Sequence, residues 1–120
     1  MGEIGGVKPL LHDRLIEFAG RVCAIARRYA RDPVLENIHR QLARSATSPA
    51  ANYAEAREAT STRDYVYRMK ICAKELRESH TWLQIARRAG YDSAELDALI
   101  AECNELIAIT LTCARKASGS

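Results

Sequence analysis

Two carboxylic acids, Glu75 and Glu78, lie one helical turn apart between apolar residues of a strongly periodic segment. Two carboxylates buried side by side can share a proton, and such a pair can act as a general acid and base. No Ser/His/Asp order, glycine-rich phosphate loop or His-Glu-x-x-His motif accompanies them. We therefore favour a structural role, in which each glutamate accepts hydrogen bonds or pairs with Arg44, Arg57 or Lys74, and we expect no enzyme activity.

A possible metal motif is also present, but only in part. Glu36 and His39 have the Glu-x-x-His spacing that di-iron helical bundles use twice, together with one glutamate from each of two other helices. The remaining histidines, His12 and His80, do not have a glutamate three residues before them. We expect neither a metal nor another cofactor, and a metal-binding bundle with His39 as a ligand is the minor alternative.

Polar residues interrupt an otherwise apolar helix face just before this segment, at Ser45, Ser48 and Asn52. A buried polar group costs free energy unless it is hydrogen-bonded, so these residues should meet partners on the facing helix. We expect Asn52 and Ser48 to face Glu75 or Glu78 and to set the register of the two helices, as a single buried Asn does in coiled coils. The complete predicted network comprises Ser45, Ser48, Asn52, Glu55, Glu75 and Glu78.

Four amphipathic helices must position these residues. Apolar residues recur at alternating steps of three and four, and the helices are predicted at about 9–30, 33–56, 62–89 and 93–116. Long helices joined by short turns predict an all-α, antiparallel up-down-up-down four-helix bundle over residues 9–116. Residues 1–8 and 117–120 are expected to be flexible tails.

Pro49 lies inside the second predicted helix. A proline removes one backbone hydrogen bond, so it either kinks a helix or divides it in two. Because the apolar periodicity resumes beyond it, we favour one kinked helix over two shorter ones.

The composition of the 120 residues fits a single domain with one core, and the net charge of +3 does not by itself indicate nucleic acid. No apolar run approaches the roughly 20 residues that span a bilayer, and the N-terminus lacks the layout of a signal peptide. We expect a cytoplasmic protein with no membrane contact. Its four cysteines form no Cys-x-x-Cys pair, which favours reduced core thiols over a disulfide or metal framework.

Basic residues gather at two places where they could contact phosphates. One lies on the outer faces of the second and third helices, and the other lies at the pole where the first and third helices end. The candidates are Arg40, Arg44, Lys70, Lys74 and Arg77 for the faces, and Arg27, Arg28, Arg31, Arg87 and Arg88 for the pole. The alternative is a solvated charged surface, with the terminal arginines complementing helix dipoles.

The first and third helices carry more apolar surface than one four-helix core requires. The surplus on the third helix suggests a subunit interface at Ile71, Trp82 and Ile85. A wide core-facing surface is an equally good interpretation of the same pattern.

Residues 41–83 carry an ordered series of residues that defines a resemblance. The series is Gln41-Leu42, Arg44-Ser45-Ala46, Ser48, Asn52, Ala54-Glu55, Ser61, Tyr65, Lys74-Glu75, Glu78 and Trp82-Leu83. In order and spacing it resembles the four helix bundle proteins of the 23S rRNA intervening sequence family. Pro49 stands where the family pattern has an aliphatic residue, and Ala56 stands where many members have glycine.

This resemblance implies an antiparallel four-helix bundle that assembles as a homopentamer around a central channel. It also implies similarity to the accessory variability proteins of diversity-generating retroelements, which bind nucleic acid and a reverse transcriptase through basic surfaces. Taken with the residue patterns, it predicts a non-enzymatic homo-oligomer whose leading partner is RNA or DNA. A purely protein–protein interaction scaffold is the main alternative.

Overall fold

The computed structural model describes residues 10–119, and this part of the chain folds into four α-helices. They are α1 (Leu11–Tyr29), α2 (Glu36–Arg57), α3 (Thr62–Arg88) and α4 (Ala94–Ser118), with a single 3-10 turn at Pro33–Leu35 before α2. The all-α class and the four predicted helices are confirmed. The tail predicted at residues 1–8 lies outside the described residues.

The helix ends follow from local side-chain and backbone chemistry. Ser61 accepts a hydrogen bond from the backbone N–H of Asp64 at 3.1 Å, and Ser93 caps α4 in the same way through Leu96. Gly119 ends α4 in the left-handed conformation at φ 82°, which a residue with a Cβ rarely adopts. Helix α4 therefore extends to Ser118, two residues beyond the boundary predicted at Lys116.

Helix α2 continues through Pro49 as one helix, as predicted, so the alternative of two shorter helices is wrong. Pro49 is buried, and its carbonyl oxygen accepts a hydrogen bond from the thiol of Cys72 on α3 at 3.3 Å. The proline thus lies in the packed contact between α2 and α3.

Consecutive helices pack side by side in opposite directions. Arg44 of α2 contacts Glu75 of α3, and the later Asn52 contacts the earlier Arg68, so α2 and α3 are antiparallel. The core joins apolar residues of all four helices, and α1 packs extensively on α2 but only lightly on α4. Residues that are at most 2 % exposed include Leu15, Phe18, Val22, Tyr29, Leu42, Met69, Leu76, Leu83, Leu99 and Leu106.

All four cysteines are unpaired thiols. Cys72 and Cys103 are fully buried on α3 and α4, and burial raises the pKa of each thiol to about 12. Cys23 and Cys113 are half-buried. No helix within residues 10–119 is both long enough and apolar enough to cross a membrane.

Candidate nucleic-acid interface

The solvent side of α3 carries a row of cations. Core residues such as Leu76 and Leu83 face inward, so the helical period places Lys70, Lys74 and Arg77 on the opposite side. All three are exposed, and none forms a salt bridge with any residue between 10 and 119. None of the three is therefore held in a direct ion pair, although the charge of Lys74 helps to lower the pKa of the Glu78 carboxyl one turn away.

Two further cations and one aromatic ring extend this row. Arg63 lies about two helical turns before Lys70 on the same side of α3, and Tyr67 between them is 59 % exposed. Arg115 of α4 lines a surface groove together with Lys70, because the last turn of α4 runs beside the first half of α3. We refer to Arg63, Lys70, Lys74, Arg77 and Arg115 as the basic face.

Sequence reasoning missed Arg115. Its signal was a basic residue in the last turn of α4, which an antiparallel bundle brings beside the first half of α3. Arg115 donates a hydrogen bond to Thr112 on its own helix at 3.2 Å and forms no salt bridge within the described range.

Arg40 and Arg44, the candidates on α2, have carboxylate partners instead. Arg40 pairs with Glu36 one turn earlier at 3.1 Å. Arg44 reaches across to α3, where it pairs with Glu75 at 2.8 Å and with Glu78. Neither arginine therefore belongs to the basic face, whose members form no salt bridge in the described structure.

The contact of Arg44 with both glutamates forms a clamp between α2 and α3. The indole N–H of Trp82 also donates to Glu78, at 3.4 Å. The guanidinium beside Glu78 holds the pKa of that carboxyl below its ordinary value. Arg44 was one of three predicted partners of the pair, and its positive charge favours the ionised form of the glutamates over a proton shared between them.

Acid should weaken this clamp. A carboxyl whose pKa is lowered in the folded state contributes stability above its unfolded pKa, and loses that contribution as the pH falls through the folded pKa. We expect the melting temperature to fall more steeply below about pH 5 in the wild type than in Glu78→Gln, which has no charge to lose. Calorimetric melts across the acid range measure this difference. Glu58→Gln, at an exposed residue without a salt bridge in the described chain, is the matched control, and parallel curves for wild type and Glu78→Gln would contradict the expectation.

The predicted contact of Asn52 and Ser48 with Glu75 or Glu78 is wrong. Asn52 donates to the hydroxyl of Ser48 at 3.0 Å and accepts from Arg68 at 3.2 Å. The reason is the antiparallel register: Asn52 lies two turns beyond Arg44, so it meets an earlier turn of α3 than the glutamates occupy.

Two other predicted network residues have different outcomes. Ser45 forms a buried hydrogen bond of 2.8 Å with Ser79 of α3, and both residues are 0 % exposed. Glu55 is exposed and its carboxylate makes no hydrogen bond with residues 10–119. A serine pair is therefore the buried contact between polar side chains of α2 and α3 in the described structure.

The arginines at the pole divide into two groups. Arg28 approaches Glu95 at 3.7 Å, and Arg87 pairs with Asp97 at 3.2 Å. The others are exposed and have no carboxylate within salt-bridge distance in the described structure; they are Arg27, Arg31 and Arg88.

The predicted interface residues on α3 are accessible to different degrees. Ile71 and Trp82 are half-buried, and Ile85 is 42 % exposed. On α1, Ile16 is also half exposed. These side chains leave aliphatic and aromatic surface outside the core.

The residues of the partial metal motif have other partners. Glu36 pairs with Arg40, and Nδ1 of His39 lies 3.0 Å from the carbonyl oxygen of Ala26, to which it can donate. Between residues 10 and 119, no group of three or more His, Cys, Asp or Glu side chains is arranged to hold a metal ion.

Comparison with known proteins adds a family to this geometry. A family model described as 23S rRNA-intervening sequence protein matches residues 12–111. Among solved structures, a protein of unknown function from the S23 ribosomal protein family of Bacteroides thetaiotaomicron VPI-5482 is similar, with a TM-score of 0.82 and 24 % identity. That match covers 88 % of this chain and 99 % of the other, and at this identity it shows the shared fold. No curated protein matches the chain.

Proposed function

This chain belongs to the 23S rRNA-intervening sequence protein family, and from that premise we propose that it is a non-enzymatic binding module for nucleic acid. The basic face is the observation that carries the proposal. Its cations are exposed and unpaired within the described chain, so phosphates could become their partners with release of condensed counterions.

Exposed arginines without a salt bridge also occur at the pole, so it is the alignment of several cations along one helix that distinguishes the basic face from a merely solvated surface. Arg14, Arg40 and Arg44 each pair with at least one carboxylate. On the basic face, Lys70 and Arg77 lie about 10 Å apart along α3, and a nucleic-acid strand carries one phosphate on every nucleotide. A strand lying along α3 can therefore bring phosphates to several cations at once. Tyr67 offers an exposed ring on which a base could stack.

We further propose a cytoplasmic homo-oligomer, specifically a homopentamer. The exposed Ile16 and Ile85 give aliphatic surface that a subunit contact would bury, and the family resemblance favours five copies. The unpaired cysteines suit a reducing compartment. Multi-angle light scattering of the purified protein tests the assembly, and the mass of a single chain would contradict it.

Salt dependence tests the nucleic-acid proposal. We expect the wild type to bind labelled single-stranded RNA at low salt, with a log–log slope of about −2 or steeper if at least three phosphates are contacted. A peptide nucleic acid of the same sequence, which lacks phosphates, is the control and should not bind. Absence of RNA binding even at low salt would contradict the proposal.

A protein–protein interaction scaffold is the second candidate, because Val34 is 84 % exposed on the turn before α2. On this alternative the assembled oligomer keeps an accessible apolar patch. Binding of a hydrophobic dye to the oligomer, reduced in Val34→Ser, together with no affinity for RNA, would favour the scaffold.

A further inference from the structure

A surface hollow opens beside the first turns of α3, at the beginning of the basic face. Its volume is about 330 Å³, and its lining residues are Ser61, Arg63, Asp64 and Tyr67. All four residues are exposed, so a ligand can reach each of them from solvent. Ligand sites in proteins usually measure roughly 300–1,000 Å³, and a hollow at the lower end of that range suits one planar ring.

Tyr67 supplies the aromatic wall of this hollow. The residue is 59 % exposed, whereas the other tyrosines are buried or half-buried. Its ring packs on no other aromatic ring within residues 10–119. Unstacked bases of single strands commonly stack on aromatic side chains that are presented in this way. The hollow therefore offers an accessible face for a base.

Two side chains of opposite charge stand beside this ring. Arg63 lies four residues before Tyr67 and Asp64 lies three residues before it, so both are its neighbours on the helix surface. Neither forms a salt bridge with any residue between 10 and 119. The backbone N–H of Asp64 donates to the hydroxyl of Ser61, but the carboxylate of Asp64 accepts no hydrogen bond in the described structure. The hollow thus presents one available acceptor and one available cation.

These charges favour one class of ring. A carboxylate accepts hydrogen bonds and cannot donate them, so Asp64 favours a base edge that carries an amino group. Carboxylates accept in this way from the amino group of cytosine. Uracil has a carbonyl oxygen at that position, and its N–H lies between two carbonyl oxygens, which a carboxylate repels. Phosphates are repelled by Asp64 as well, but Arg63 and Lys70, one turn to either side of Tyr67, can hold the phosphates that flank a stacked base.

We propose that this hollow takes one unstacked, amino-bearing base of a single-stranded nucleic acid, with its ring on Tyr67 and its amino group on Asp64. Arg63 and Lys70 hold the adjacent phosphates, and the strand continues along the rest of the basic face. This inference rests on the proposed nucleic-acid function and names the form of strand and the class of base that the protein prefers. A duplex does not fit the hollow, because its bases are stacked on one another and paired.

The test compares three labelled RNA strands of equal length on the full-length protein: an oligocytidine, an oligouridine and a strand of abasic sugars. We expect the wild type to bind the oligocytidine about fivefold more tightly than the oligouridine. It should bind the oligouridine about tenfold more tightly than the abasic strand. Tyr67→Leu, which replaces the ring by an aliphatic side chain, should reduce that tenfold gain several-fold. Asp64→Ala should abolish the difference between the two base-bearing strands.

Asp13→Ala is the matched control for the loss of an acid. Asp13 is also exposed, lies in the first turn of its helix and forms no salt bridge in the described part of the chain. This variant removes the same charge as Asp64→Ala and should keep both preferences of the wild type.

The outcomes separate this inference from the function on which it rests. Equal binding of oligocytidine and oligouridine by the wild type would overturn the base site while the nucleic-acid function stands. The same holds for a base preference that Tyr67→Leu leaves unchanged, or a cytidine preference that Asp64→Ala leaves unchanged. Failure of the wild type to bind all three strands would overturn both.

Discussion

Leucine in place of Ser45 is expected to lower the free energy of unfolding by about 4 kcal/mol. Ser45 is 0 % exposed where α2 meets α3, so a larger side chain must displace its neighbours, which costs typically about 1–3 kcal/mol. The substitution also leaves the hydroxyl of Ser79 without its partner, at a further cost of about 1–3 kcal/mol. Natural domains have only about 5–15 kcal/mol of stability, so urea denaturation should show a much lower midpoint.

Variants of the serine pair divide this loss into its two causes. Ser45→Ala alone should lower the free energy of unfolding by about 1–3 kcal/mol, because it leaves the hydroxyl of Ser79 without a partner but adds no bulk to the core. Ser45→Ala with Ser79→Ala should recover much of that loss, since neither hydroxyl is then left unpaired. Thr47→Leu, at an exposed position of the same helix, is the size-matched control and should change stability by no more than about 0.5 kcal/mol. A Ser45→Leu protein as stable as wild type would show that the contact between α2 and α3 is loosely packed.

Neutralising two cations of the basic face is expected to weaken binding of single-stranded RNA by on the order of 50-fold at about 50 mM salt. The reason is that each phosphate contact contributes roughly 0.7 to the log–log salt slope for a single strand. Lys70→Gln with Arg77→Gln should therefore make that slope shallower by about 1.4. Fluorescence anisotropy across a salt series measures both quantities.

A second double variant distinguishes an effect of where the cations lie from an effect of net charge. Arg40→Gln with Arg87→Gln removes the same two charges, but both arginines already pair with carboxylates. Their loss should change RNA affinity far less than the loss of Lys70 and Arg77. Equal effects of the two double variants would mean that net charge alone attracts the strand, and that the basic face has no special role.

Most of the fold could be predicted from the sequence because its determinants are local. The spacing of apolar residues identifies each helix, and the caps at Ser61 and Ser93 identify where two of them begin. Periodicity beyond Pro49 was enough to predict a continuous α2. Helix α4 ends two residues beyond the predicted boundary, because its terminator is Gly119 in the left-handed conformation and the periodicity of apolar residues does not reveal it.

The partners of the polar residues could be predicted only in part, because they depend on the axial register between neighbouring helices. Arg44 was among the expected partners of Glu75 and Glu78, since long arginine side chains can reach across a helix contact. Asn52 was assigned to the same glutamates, and the antiparallel register moved it to Arg68 instead.

The sequence also did not predict which individual cations would be paired with carboxylates. Arg28 is paired by Glu95, which lies far from it in the sequence, and Arg87 is paired by Asp97 across the turn between α3 and α4. Lys70, in contrast, has a basic neighbour from α4, Arg115. Residue spacing within one helix contains no information about which charge a neighbouring helix will bring to it.

The reactivity of the two buried thiols can report when the helices of this bundle separate. The thiol of Cys72 donates a hydrogen bond to the carbonyl oxygen of Pro49 on α2, and the thiol of Cys103 donates one to that of Leu76 on α3. A thiol with a pKa near 12 and no solvent exposure reacts with an alkylating reagent only after its surroundings separate. The labelling rate at Cys72 therefore follows the parting of α2 from α3, and the rate at Cys103 follows the parting of α3 from α4. The labelling rates of these two native cysteines thus report the opening of two different helix contacts, without any engineered probe.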